Sequence, residues 1–229
     1  DLATFASEGH MPEGGYLASL DAGSLDEEVT RDYLLSREAD IIVNVVAATN
    51  LERHLYFTVQ LLEMGVPLVV AINMMDVARK RGILLDTARL SREIGCPVVP
   101  IVAVTREGLT ELQARMLSVA DGRQGAGFSL AHGECVEQAV TDLGARFQGP
   151  TSRANTRWLG LKLLEGDPLA EVAADGSTRE RAEHWREEIR RRTGEDADIH
   201  VADTRFGHAH SLAQQVITER GRAGRTLTD

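Results

Sequence analysis

The chain has 229 residues, 43% hydrophobic and 26% charged, so it can bury a core in one or two globular domains. Its formal net charge of −10 argues against a nucleic-acid-binding protein, because such proteins neutralise phosphates with a basic surface. Only two cysteines occur, Cys96 and Cys135, which excludes a disulfide scaffold and suits a reducing compartment. No apolar run approaches the roughly 20 residues of a membrane helix, and no signal peptide is visible. We therefore expect a soluble, cytoplasmic chain.

The basic residues are nearly all arginine, since Lys80 and Lys162 are the only lysines. Neither lysine belongs to a Gly-Lys-Ser or Gly-Lys-Thr sequence, so the phosphate-binding loop G-x-x-x-x-G-K-[ST] is absent from these residues.

The first 23 residues are rich in glycine and show no hydrophobic period, so we interpret them as loop. Ser24 and Glu27 then have the spacing of a capping box, in which Ser24 is the N-cap. This pattern predicts a helix that runs to about Ser36.

Short β-branched runs alternate with helical patterns between residues 41 and 119. The runs are almost entirely apolar, as is typical of strands that are covered on both faces, and prolines in the third run indicate an end or edge position. The predicted strands are Ile41–Val46, Val66–Ile72 and Pro97–Val102, and the predicted helices are Leu51–Met64, Asp86–Ile94 and Leu109–Val119. Three strand–helix repeats predict an α/β fold with a doubly wound, mostly parallel sheet. Ligands of such sheets bind at the carboxyl ends of the strands.

The sequence changes character after Asp121, where a glycine-rich segment to Gly127 predicts a flexible linker. No convincing strand follows, and Trp158 and Trp185 fall on apolar helix faces that predict the core of a second domain. Helical patterns cover Leu130 to Phe147, Thr156 to Glu165, Thr178 to Thr193 and Asp203 to Arg220. We therefore predict an incomplete α/β domain over residues 1–122 and a small all-α domain over residues 128–229.

Asn73-Met74-Met75-Asp76 directly follows the second predicted strand. Asn-x-x-Asp at this place is the guanine-reading motif of GTPases, because a carboxylate can accept hydrogen bonds from both the N1–H and the 2-amino group of guanine. Adenine offers no such donor pair and would leave the carboxylate unpaired. The Asn73 amide can bond the base edge and tie neighbouring loops together, whereas Met74 offers apolar contact where most GTPases have lysine. The alternative is that Asn73 and Asp76 only cap the next helix.

Val102-Ala103-Val104-Thr105 ends the third predicted strand. In GTPases a small residue here allows a backbone N–H to approach the guanine O6. Ala103 and Val104 are therefore candidate nucleotide-binding residues together with Asn73, Met74 and Asp76. His208 and His210 are weak metal candidates, because side chains two residues apart on a helix point in nearly opposite directions.

Several of these motifs together resemble the cytosolic region of the FeoB family of bacterial ferrous-iron transporters. The resemblance covers residues 24 to 229 and includes the later part of a GTPase domain and a helical nucleotide-dissociation-inhibitor domain. The resemblance rests on the guanine motifs, Ser24–Glu27, Asn50-Leu51-Glu52-Arg53, the sequence from Arg157 to Asp167 and the segment Ile199–Phe206. The W-L-G-L-x-L-L-E-G-D sequence in the long string is the most specific of them.

The resemblance implies GTP or GDP as ligand, Mg²⁺ in the parent protein, and control of iron uptake at the cytoplasmic side of the inner membrane. It implies the transporter's membrane domain as partner, with a small accessory protein or a homo-oligomer as further possibilities, and no nucleic acid. The family's D-x-x-G motif has two imperfect placements. If the motif begins at Asp1, Thr4 stands where the motif requires glycine; in residues 11–16, Gly14 is present but no aspartate is. Without a phosphate loop, we expect this piece alone to be unable to hydrolyse GTP.

Two alternatives from other classes remain open. A signalling receiver domain with a helical output domain would also be α/β followed by α, but Thr105 and Arg106 occupy the place where a receiver needs lysine. A non-catalytic interaction module would use Asn73 and Asp76 as helix caps only.

Overall fold

The computed structural model describes residues 3–6, 40–122, 127–147 and 156–219. The helix predicted from Ser24 and the linker at residues 123–126 lie outside these ranges. The described elements form a mostly parallel sheet with helices, followed by a helical second half. The predicted fold class is therefore confirmed.

Within the described residues the main sheet has four parallel strands: β1 (Ala3–Ala6), β2 (Ile42–Ala47), β3 (Leu68–Asn73) and β5 (Val98–Pro100). They lie side by side in the order β1-β2-β3-β5. Ile42 pairs with Leu68, and Val70 pairs with Val98. The side chains of β3 from Leu68 to Ile72 are 0% exposed, as expected for β-branched and aliphatic residues covered on both faces. Among the described strands β5 pairs with β3 alone, which confirms the edge position indicated by its prolines.

In the described part of the first half, four helices accompany the sheet: α1 (Leu51–Met64), α2 (Met75–Lys80), α3 (Thr87–Ile94) and α4 (Leu109–Ala120). The first begins and ends where the sequence predicts, and Gly65 at its C-cap has a φ of 80°, a left-handed conformation that glycine adopts without a steric penalty. Asp86 caps α3, because its Oδ1 accepts a hydrogen bond from the Arg89 amide at 2.8 Å. The short α2 was not predicted.

The second half contains α5 (Glu134–Gly144), α6 (Thr156–Leu164), α7 (Pro168–Ala173), α8 (Gly176–Thr193) and α9 (Ala197–Val216). The helix α7, which Asp167 caps, was not predicted from the sequence. The start of α9 was predicted at Asp203, six residues later than the structure has it.

The second half also contributes a strand, which corrects the expectation that none follows Asp121. This strand, β6 (Ile217–Glu219), pairs antiparallel with β4 (Ile83–Leu85). Each strand has only three residues, too few to show an alternating pattern, and the partners are far apart along the chain. The pair therefore joins the end of α9 to the segment that follows α2.

The two halves share a hydrophobic core. Leu55 and Leu62 of α1 belong to one buried cluster with Trp158 of α6 and Leu212 of α9. Trp158 is 0% exposed within this cluster, so it packs between the halves and not in the core of the second half alone. A further cluster lies wholly among the second-half helices, and another covers the opposite face of the sheet. The division at residues 122 and 128 remains a prediction, and its two parts are packed against each other.

Candidate functional site

The two predicted guanine motifs lie at the carboxyl ends of neighbouring strands. Asn73 is the last residue of β3, and a short 3₁₀ helix (Ala103–Thr105) follows β5. Because β3 and β5 are paired and parallel, both motifs reach the same edge of the sheet. This is the edge at which doubly wound sheets bind ligands.

The side chain of Asn73 connects the two motifs. Its Oδ1 accepts hydrogen bonds from the backbone amides of Met74 at 2.8 Å and Ala103 at 3.1 Å. The predicted tie between the neighbouring loops is therefore present. The Met75 amide also donates to the Ile101 carbonyl at 3.5 Å, on the boundary of a hydrogen bond.

Asp76 lies in the first turn of α2 with its side chain 37% exposed. The N-cap of α2 is Met74, which makes no side-chain capping hydrogen bond, and the Asn73 oxygen is committed to Met74 and Ala103. The Lys80 amine stands 3.7 Å from the Asp76 carboxylate, one turn further along the helix. The helix-cap interpretation therefore has no support at Asn73, and the Asp76 carboxylate is accessible from solvent.

Met74 has a φ of 63° and a ψ of 31°, a left-handed conformation that is uncommon outside glycine. Met74 is the N-cap of α2, so this conformation lies at the junction between β3 and α2, between Asn73 and Asp76. Strained backbone of this kind persists where the surrounding structure enforces it, and it clusters at ligand-binding loops.

The loop after β5 is closed on itself. The Val102 amide donates to the Glu107 carbonyl at 3.0 Å, and Arg106 takes a left-handed φ of 62°. Gly108 follows with a φ of 80°, and a Cβ at this position would lie 2.3 Å from the Pro100 carbonyl oxygen. This close approach requires glycine, a constraint that the sequence analysis missed. Within the loop Val104 is 89% exposed.

The residues considered as metal ligands are not brought together. His210 Nδ1 lies 2.8 Å from Glu52 Oε1, whereas the ring of His208 lies against Phe128, and burial lowers the pKa of His208. In the described ranges no group of three or more His, Cys, Asp or Glu side chains could hold a metal ion.

The two placements of the D-x-x-G motif differ in their relation to β1. Thr4 lies inside β1, so a motif beginning at Asp1 would fall within a strand and not after its carboxyl end. Asp1 itself and the alternative at residues 11–16, with Gly14, lie outside the described residues.

Comparison with known families gives two matches. The family described as ferrous iron transport protein B matches residues 13–116, and the FeoB cytosolic helical domain matches residues 132–218. The chain belongs to the FeoB family. It is 36% identical to the Fe(2+) transporter FeoB of Escherichia coli K12 and 37% identical to that of Salmonella typhimurium, in each case over 80% of this chain and 23% of the relative. The chain therefore spans about a quarter of the length of these FeoB relatives.

Solved FeoB structures have the same fold. A GDP-bound mutant of the S. thermophilus FeoB G-domain has a TM-score of 0.82 at 30% identity and covers 89% of this chain and 79% of that one. The cytosolic domain of L. pneumophila FeoB has a TM-score of 0.74 at 32% identity, covering 89% of this chain and 78% of that one. Within the described ranges of the present FeoB chain, no helix is long and apolar enough to cross a membrane.

Proposed function

We propose that this FeoB chain supplies guanine recognition and a helical regulatory domain to a ferrous-iron transporter, and that nucleotide bound at this edge of the sheet regulates iron uptake. The observation that carries the proposal is the pair of hydrogen bonds from the Met74 and Ala103 amides to Asn73 Oδ1, which brings both guanine motifs into one corner. We define this guanine corner as residues 73–76 and 102–107. GDP-bound structures of FeoB relatives support guanine nucleotide as its ligand.

The proposed mode of base recognition follows from the geometry of the corner. The Asp76 carboxylate accepts hydrogen bonds from N1–H and the 2-amino group of guanine, for which its exposure leaves room. The Ala103 amide already donates to Asn73, so we assign recognition of the guanine O6 to the Val104 amide. The side chain of Met74 lies along the base and contributes apolar contact without charge.

A polypeptide of these 229 residues is proposed to recognise the base without cleaving GTP. Neither lysine suits a phosphate site, because Lys162 is 1% exposed beside Glu165 and Lys80 projects beside Asp76. Phosphoryl transfer depends on oriented donors around the β- and γ-phosphates, which the guanine corner does not supply. In the parent protein we assign these donors and Mg²⁺ to other residues.

The remaining parts of the proposal concern the whole transporter. The partner of this region is the transporter's membrane domain, and the chain acts at the cytoplasmic side of the bacterial inner membrane. A small cytosolic accessory protein or a second copy of the chain is a further proposed partner. FeoB relatives that are about four times as long support an additional domain in the parent.

Nucleotide titration of the 229-residue polypeptide tests the proposal. We expect GDP to shift the backbone amide NMR signals of Met74, Ala103 and Val104 with a dissociation constant of roughly 1 mM, equivalent to about 4 kcal/mol of binding free energy. Equal concentrations of ADP should leave these signals in place. An identical response to GDP and ADP, or shifts confined to other regions, would refute guanine recognition at this corner.

A further inference from the structure

Arg79 forms hydrogen bonds with both segments of the guanine corner. Its Nε donates to the carbonyl of Met75 at 3.2 Å, and its terminal Nη2 donates to Glu107 Oε1 at 2.7 Å. Met75 lies between Met74 and Asp76, whereas Glu107 ends the loop that contains Ala103 and Val104. One guanidinium therefore joins the backbone of the first motif to a side chain of the second.

Glu107 is well placed for this contact because its own backbone is fixed. Its carbonyl accepts the Val102 amide at 3.0 Å, and the obligatory glycine at position 108 packs against Pro100. The contact between Arg79 and the Glu107 carboxylate therefore also fixes the position of the closed loop.

The helix that carries Asp76 is short, and it is held by contacts with its neighbours, including the packing of Met75 against the shared core. The helix α2 has only six residues, and Ala78 alone among them is buried. A helix this short gains little from its own hydrogen bonds, so its position depends on contacts with neighbouring segments.

From this geometry we infer that Arg79 is a positioning residue of the guanine corner, which holds Asp76 and the loop of Val104 at the spacing that a guanine base requires. The inference rests on the proposed function. Arg79 does not touch the base; it acts through Met75 and Glu107. Nothing in the Asn-x-x-Asp motif specifies an arginine at this place.

The two side chains of the ion pair are 53% and 58% exposed, so the pair contributes little to global stability. Its effect should appear as weaker nucleotide binding and a more open loop, with an unchanged melting temperature. This separation distinguishes positioning from an ordinary stabilising contact.

The test uses the 229-residue polypeptide and two readouts: the dissociation constant for GDP and the hydrogen-exchange rate of the Ala103 amide without nucleotide. We expect Arg79→Ala and Glu107→Ala each to raise the dissociation constant and the exchange rate about two- to fivefold, the range of exposed ion pairs. The charge-reversed double variant, Arg79→Glu with Glu107→Arg, should recover most of both losses. Arg115→Ala serves as the matched control, because Arg115 forms an equally exposed pair with Glu111 on α4.

The outcomes separate the two proposals. If the unaltered polypeptide binds GDP selectively but the single variants bind it equally well, Arg79 has no positioning role and the proposed function stands. Failure of the reversed pair to recover binding would likewise overturn the inference, because the two side chains would then act separately. If the unaltered polypeptide does not bind GDP, both proposals fall.

Discussion

Arg205 on α9 donates through Nε to Glu63 Oε2 on α1 at 2.6 Å, and neither side chain is more than 3% exposed. The other oxygen of Glu63, Oε1, lies 2.5 Å from His132 Nε2. Arg205 also forms an ion pair with Glu165, which follows the last residue of α6. Lys162 lies 3.1 Å from the same Glu165 carboxylate. This cluster, which we call the buried ionic cluster, joins the two halves of the chain beneath their shared core.

The pKa values of the cluster reflect this pairing. Burial by itself would raise the pKa of Glu63, but the hydrogen bonds and charges of His132 and Arg205 hold it below its usual value. Burial would lower the pKa of Arg205, and the carboxylates of Glu165 and Glu63 raise it instead. Each charge is therefore stabilised by the other, so that loss of Arg205 would remove a buried cation from both the Glu63 and the Glu165 carboxylate.

Replacement of Arg205 by methionine should destabilise the whole chain. The change keeps most of the side-chain volume but leaves Glu63 and Glu165 without their shared cation, so we expect the free energy of unfolding to fall by about 3–5 kcal/mol. Urea denaturation followed by circular dichroism measures this. The matched control is Arg191→Met, because Arg191 is 69% exposed in its pair with Glu188 and should change stability by less than about 0.5 kcal/mol. Similar losses in the two variants would contradict the role of the cluster.

The free energy of unfolding should depend on pH through the protonation of Glu63. Because its pKa is lower in the folded chain than the ordinary 4.5, its stabilising contribution is complete above that pH. The contribution is lost as pH falls through the folded pKa, where the carboxylate becomes protonated. The difference in unfolding free energy between the unaltered chain and Glu63→Gln should therefore be constant near neutrality and shrink below about pH 4.5. If this difference grew on acidification, the pKa of Glu63 would be raised by folding and not lowered, which would contradict the prediction.

Asp76→Asn should change the preferred base from guanine to xanthine. An asparagine amide can donate to the 2-oxo group of xanthine, whereas aspartate can only repel it. Titration of the variant with the diphosphates of guanosine and xanthosine, followed at the Met74 and Ala103 amides, measures the switch. Asp40→Asn provides a matched control, since Asp40 is exposed near the amino end of β2, at the opposite edge of the sheet. Unchanged guanine preference in Asp76→Asn would remove Asp76 from the site.

Limited proteolysis should cut first between Gly122 and Gly127, because glycine-rich segments open at low cost. The fragments should nevertheless remain associated, since Leu55 and Trp158 share one core and β4 pairs with β6. Size-exclusion chromatography of the nicked chain, compared with the same sample in denaturant, measures this. Elution of two separate fragments under native conditions would mean that the halves are independent units.

The 229-residue polypeptide should release no phosphate from GTP in the presence of Mg²⁺. Loss of one electrostatic donor in an active site typically costs about 3 kcal/mol, or about a hundredfold in rate, and these 229 residues contain no G-x-x-x-x-G-K-[ST] phosphate loop. The measurement is phosphate release against a buffer blank. Turnover above the blank that disappears in Asp76→Ala would reveal a phosphate site outside the described residues.

Local patterns were sufficient to predict most of the described sheet and the place of the two candidate motifs at the ends of its strands. An apolar run predicts a strand at Val66–Ile72, directly before Asn73. The structure has this strand at Leu68–Asn73, so that Asn73 is its last residue. The Asn73 amide is predicted to tie neighbouring loops together, and the structure shows its Oδ1 accepting a hydrogen bond from the Ala103 amide. These features depend on short stretches of sequence and on rules of strand connection.

Long-range features were not accessible in the same way. Arg205 and Glu63 are 142 positions apart, and each alone resembles an ordinary charged residue on a helix. The three-residue strands β4 and β6 have no pattern before they pair. Arg79 lies three residues after Asp76, but its role depends on the contact with Glu107. The position of Glu107 depends in turn on the closed loop, which the sequence does not reveal. Such features require the fold before they can be recognised.

The packing of α9 against α1 has a consequence for synthesis on the ribosome. Chains emerge from the amino end, so Leu55 and Leu62 are made long before Leu212, which covers them in the shared core. During that interval the sheet and its helices carry an open apolar face, and the contact that closes it has a high sequence separation, which slows its formation. Ribosome-bound chains that stop before α9 should therefore recruit holdase chaperones, and release of the last helix should end that dependence.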